Sequence, residues 1–218
     1  SRLNSDGTTT IGIWIMNGGN LQQGITLPLN APEGWSPVDT NNFDAVHTHT
    51  ADILLTKTNS GGSTDVGVWV LDSTGNVSSY QTIAENVASK WQILDHNDFN
   101  GDGIADILIK AENGTADDEY GFWILDGNGN IATTAVYAVS DSSGYEFSAT
   151  GDVNGDGKAD VVLFKEDTST ITVGHWLMDG ATLSMGYDFL SYDKSLWNNE
   201  PFTQPDVSLP VSASPTVV

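Results

Sequence analysis

Two loops in this 218-residue chain carry oxygen-bearing side chains at a spacing suited to a hard cation. They read DFNGDGIAD from Asp98 to Asp106 and DVNGDGKAD from Asp152 to Asp160. Oxygen donors fall at positions 1, 3, 5 and 9 of each, with glycines where a tight turn must fold back. Calcium takes six to eight oxygen ligands, and a main-chain carbonyl near position 7 adds to what one short segment can offer. The predicted ligands are Asp98, Asn100, Asp102, the carbonyl of Ile104 and Asp106 in the first loop. In the second they are Asp152, Asn154, Asp156, the carbonyl of Lys158 and Asp160. Two calcium sites are therefore expected. The same residues also read as unmetallated Asx turns, because Asp, Asn and Gly favour turns without any ion. A helical calcium hand would need Glu at position 12, where Ile109 and Leu163 stand.

The charge of the chain points to the same kind of partner. Seven Lys and Arg against 29 Asp and Glu leave a net charge of −22. Such a surface repels phosphate backbones and anionic lipid, which argues against nucleic acid as a partner. No run of 18 apolar residues is present, so membrane insertion by a helix is not expected, and no leader segment is recognised in the sequence. With 39% hydrophobic residues the chain can bury a core. It has no cysteine, so an extracellular version would need another staple in place of disulfides.

The elements that position the loops recur along the chain. A Gly-x-Trp core appears around Trp14, Trp69, Trp123 and Trp176, at spacings of 55, 54 and 53 residues. An Ala-Asp-apolar run precedes it at Asp52, Asp106 and Asp160, and an aromatic heads an earlier strand at Trp35, Trp91, Tyr145 and Trp197. Segments rich in Val, Ile, Trp and Tyr between Gly, Asn, Asp and Ser clusters read as strands and hairpins throughout. Four antiparallel strands in each unit of this length predict an all-β fold, a β-propeller of four blades. The units run over about 34–86, 90–140 and 145–191. A closing blade is shared by 1–30 and 195–211, so that 1–218 forms one domain whose terminal strands complete one sheet. The rival reading is a fragment of a longer propeller. The Gly-x-Trp tryptophans are expected in the core between blades, with sugar-stacking platforms as the other reading.

DFNGDGIADILIK and DVNGDGKADVVLFK, each followed by a Gly-x-Trp strand, resemble FG-GAP/VCBS-type repeats such as those of integrin α-subunit propellers. The resemblance implies a secreted or surface-exposed propeller, stabilised by calcium and used in adhesion, in sugar binding or as an accessory module. Two stretches depart from it. The loop NNFDAVHTHTAD keeps Asp44 and Asp52 but places His47 and His49 where acidic ligands are expected, and the closing blade has NNEPFTQPD. His47 and His49 with Asp44 would suit zinc or copper, or are solvated loop residues.

No nucleophile elbow, zinc-binding helix motif or catalytic cysteine is present. The expected function is a lectin-like or adhesion-like module for a carbohydrate or cell-surface ligand. Tyr120 and Tyr145 are the predicted ligand contacts, on the face opposite the calcium loops. The alternatives are a structural accessory domain, or a polysaccharide-degrading enzyme with catalytic residues on loops.

Overall fold

The computed structural model describes residues 1–27, 30–46, 51–112 and 117–197. The chain opens with a short pair, β1 (Arg2–Leu3) and β2 (Thr9–Thr10), and a hairpin, β3 (Gly12–Asn17) and β4 (Asn20–Thr26). Three four-stranded sheets follow. The first holds β5 (Trp35–Asn41), β6 (Asp52–Thr58), β7 (Thr64–Leu71) and β8 (Val77–Val87). The second holds β9 (Trp91–Asn97), β10 (Asp106–Ala111), β11 (Asp118–Leu125) and β12 (Ile131–Val139). The third holds β13 (Tyr145–Gly151), β14 (Asp160–Glu166), β15 (Thr170–Asp179) and β16 (Thr182–Asp193), and one helical turn, α1 (Lys194–Trp197), ends the described chain. Each sheet is an antiparallel meander whose strand order follows the sequence.

The second strand of each sheet is a continuous apolar run rather than an alternating one, as in Ile53-Leu54-Leu55 and Ile107-Leu108-Ile109. Such a run fits a strand covered on both faces. Ile53, Leu55, Trp69 and Leu71 pack towards the hairpin against Ile11, Leu27 and Ala31. Leu54, Val66, Val68 and Val70 pack the other way, against Ile107, Ile109 and Leu125 of the second sheet. Leu108, Phe122 and Ile124 then meet Val161, Leu163, Trp176 and Met178 of the third. Each fully buried aliphatic side chain contributes about 1.5–3 kcal/mol, so these three interfaces carry most of the apolar stabilisation.

Two repeated marks of the sequence are explained by contact. The aromatic heading the first strand covers the glycine of Gly-x-Trp two strands away: Trp35 on Gly67, Trp91 on Gly121 and Tyr145 on Gly174. The aspartate opening the second strand is a main-chain clamp. Asp52 accepts the Phe43 N–H at 2.8 Å and the Leu71 N–H at 2.9 Å. Asp106 accepts those of Phe99 and Leu125 at 3.0 and 2.8 Å, and Asp160 those of Val153 and Met178 at 3.1 and 2.9 Å. All three carboxylates have no exposed surface, and each ties its loop to the end of the third strand.

The tryptophans do not share one environment. Trp69 and Trp176 are buried and Trp123 is half-buried, whereas Trp14 is 74% exposed. The core position expected for Trp14 is corrected by its setting in a two-stranded hairpin: among the described residues no sheet covers its face. At the other end of the stack, Met185 and Phe189 on β16 are also exposed, beside buried His175.

Candidate functional site

Both Asp-rich loops are built alike, from one carboxylate outward. Asp98 Oδ1 accepts the N–H groups of Gly101 and Asp102 at 2.6 and 3.1 Å, and its Oδ2 accepts that of Gly103 at 2.7 Å. Asp152 repeats this with Gly155, Asp156 and Gly157 at 2.6, 3.1 and 2.9 Å. The chain can wrap a single carboxylate in this way because Gly101 and Gly103 take φ of +80° and +84°, a region that side-chain-bearing residues rarely enter. At the third position Asn100 Oδ1 accepts the Asp102 N–H at 2.9 Å, and Asp102 Oδ1 accepts the Ile104 N–H at 2.8 Å. Asn154 and Asp156 do the same, at 2.8 and 2.9 Å. As folded here, the loops have the Asx-turn arrangement.

Neighbouring loops are joined into a row. The Ala105 N–H donates to the Asn42 carbonyl and the Ala159 N–H to the Asp98 carbonyl, both at 2.7 Å. The turns after Gly-x-Trp lie on the same side, since the Gly180 N–H donates to the Phe99 carbonyl at 2.8 Å and Lys158 pairs with Asp179.

The first loop encloses a buried carboxylate. Burial pushes the Asp106 carboxyl up to about 7, and repulsion from Asp102 and Asp98 adds to this, while the Leu125 and Phe99 N–H groups pull it down. Asp152, on the surface, is held below the usual carboxylate range, first by the Gly157 N–H and then by Gly155 and Asp156. Among the described residues no three acidic or histidine side chains converge closely enough to hold a metal ion. The donor set nevertheless suits calcium chemically. It is all oxygen, and Asp98 Oδ2 and Asp152 Oδ2, which accept one loop N–H each where their Oδ1 atoms accept two, keep a lone pair for an ion.

The loop of the first sheet is corrected by its register. Asn41 pairs with Asp52 as Asn97 pairs with Asp106 and Gly151 with Asp160. Asn42, not Asp44, therefore stands at the place of Asp98 and Asp152, and this loop is two residues longer. Asn42 Nδ2 donates to the Gly103 carbonyl at 2.7 Å. Matching acidic residues missed it, whereas matching the Asn-Phe and Asp-Phe pairs would have found it. His47 and His49, and the closing loop from 198 to 206, lie outside the described residues.

The two predicted ligand tyrosines serve the fold. Tyr120 has no exposed surface and sits edge-on to Trp176, their ring centroids 5.6 Å apart. Tyr145 is half-buried over Gly174, and its hydroxyl donates to Asp188. Burial leaves Tyr120 nothing to offer a ligand.

Residues 98–163 match the family model of the FG-GAP-like repeat. The matched stretch runs from the first residue of one Asp-rich loop through the second loop and into β14. No curated protein and no solved structure matches the chain.

Proposed function

We propose, taking the FG-GAP-like repeat as the premise, that this chain is a calcium-stapled propeller module that binds a carbohydrate or another surface ligand outside the cell. The observation that carries the reading is the loop pattern, which is the same at Asp98–Asp106 and Asp152–Asp160 down to each acceptor oxygen. Asp98, Asn100, Asp102, Asp106 and the Ile104 carbonyl would hold one calcium. Asp152, Asn154, Asp156, Asp160 and the Lys158 carbonyl would hold the other. Bound calcium would supply the positive charge that these crowded carboxylates lack. A chain without cysteine gains from such staples in an oxidising exterior.

The proposed ring of four blades rests on two open faces at the ends of the stack. Trp14 and Met16 leave the hairpin's outer face 74% and 50% exposed at those positions, and Phe189 and Met185 leave the third sheet's outer face 64% and 53% exposed. Pairing these faces, with the segment after α1 supplying strands beside β3, would remove both apolar surfaces and the free edge of β3.

A glycan array, read with calcium and again after chelation, tests the function. Retention on at least one glycan that is lost with the calcium is the expected result. Release of shortened products, or retention on nothing, would overturn the reading.

A further inference from the structure

We infer that the cleft between Asn30 and Pro32, which follow the N-terminal hairpin, and the first four-stranded sheet is a binding site for a neutral glycan, with Trp35 and Tyr80 as its aromatic walls. The inference rests on the reading of the chain as a ligand-binding module and adds where that ligand sits.

The cleft encloses about 400 Å³, within the range of small-molecule sites. Buried Trp69 also lines it, and Asn30, Gln81 and Thr82 bring polar groups to it. Among the described residues, no lining residue carries a charge at neutral pH, in a chain with 29 acidic side chains. The amides are held in place by neighbours. Gln81 Nε2 donates to Asn130 Oδ1 at 3.0 Å, and Asn30 Oδ1 accepts from the Thr10 hydroxyl at 3.0 Å. Side chains fixed before a ligand arrives lose less entropy on binding it.

Tyr80 marks this cleft off from the rest of the repeat. It stands directly across from the Gly-x-Trp tryptophan of its sheet, Trp69. The same position holds Thr134 across from Trp123, Gly186 across from Trp176 and Gly24 across from Trp14. The fold thus accepts threonine or nothing at this place, and packing does not require the tyrosine. It is 77% exposed. The matching cleft one sheet on, beside Trp91 and Trp123, is smaller at about 230 Å³ and has no counterpart of Tyr80.

A sugar ring presents an apolar C–H face and a rim of hydroxyls. Aromatic walls suit the first, and amides with a threonine hydroxyl suit the second. An acidic sugar would meet no cation in the cleft and would be repelled by the field of the whole chain.

The test titrates the calcium-loaded protein with cellohexaose, xylohexaose, mannohexaose and chitohexaose, and with polygalacturonate as the acidic probe, following tryptophan fluorescence and heat. At least one neutral oligosaccharide should bind, Tyr80→Ala should weaken it about tenfold, and Tyr80→Phe should stay close to the parent. Because Tyr80 is exposed, the Ala variant should melt with the parent. Oligosaccharide binding that Tyr80→Ala leaves unchanged would overturn the cleft while leaving the proposed function standing. Binding to none of the neutral oligosaccharides would overturn the carbohydrate reading and the cleft together, and a preference for polygalacturonate would overturn the neutral class.

Discussion

The ring of Trp35 covers the bare Cα of Gly67: a Cβ there would stand 3.3 Å from two of its ring carbons and 2.9 Å from the Gln81 carbonyl oxygen. Trp91 over Gly121 and Tyr145 over Gly174 repeat the relationship. Two marks that keep one period in the sequence are thus one contact in the fold. Alanine at Gly121 would place Cβ 2.8 Å from Ile109 Cγ1, where something must shift. Gly121→Ala should cost about 1–3 kcal/mol, read as a lower denaturant midpoint. A neutral result would mean that the ring is not held against the strand.

Gly12 reports on ring closure. Among the described residues a Cβ at Gly12 meets only the Ile25 carbonyl, at 3.6 Å. In the proposed ring the neighbouring blade covers Gly12, although Trp197, expected to head a strand as Trp35 does, ends the helical turn α1 instead. Gly12→Ala should then destabilise about as much as Gly67→Ala. A cost within about 0.5 kcal/mol of zero, as for an open surface site, would contradict closure.

Asp52 clamps two main-chain N–H groups in the loop without the calcium motif, so its effect is separable from metal. Asp52→Ala would leave the N–H groups of Phe43 and Leu71 buried without this acceptor. A loss of about 2–5 kcal/mol is expected, and it should be the same with calcium and with chelator. A loss that appears only in calcium would show that this loop too depends on metal.

His175 gives the chain a pH dependence of known sign. Burial holds its imidazole below the ordinary value, which Asp160 only partly offsets. In the unfolded chain the ring titrates near its usual value of about 6.5. Below that pH the unfolded state takes up a proton that the folded state resists, so stability falls as pH drops. Between pH 7.5 and 5.5 the parent should lose more stability than His175→Phe. Equal losses would place the imidazole in water.

Much of the fold was legible because the repeat carries three marks, and continuous apolar runs such as Ile107-Leu108-Ile109 announce strands covered on both faces. The site was legible only in part. Likeness among acids points to Asp44, whereas strand register puts Asn42 at the place of Asp98. Tyr120, expected as a ligand contact, is buried, in keeping with the position before the repeated glycine, which is apolar in every unit: Ile11, Val66, Tyr120 and Val173. Trp14 follows the repeat in sequence but not in burial, because burial depends on what the neighbouring element covers. The aspartate at position 9 has a role that spacing alone did not show. Its persistence at Asp52, where the rest of the motif is lost, is the sign that it serves the main chain as well.

The central claim is that calcium holds the two loops, and thermal melting with and without a chelator tests it most directly. At calcium about 100-fold above the dissociation constant each site adds about 2.7 kcal/mol, so two sites should raise the midpoint on the order of 10 °C. Asp102→Ala combined with Asp156→Ala should remove most of that difference. Superimposable melting curves for the parent chain in calcium and in chelator would contradict the account.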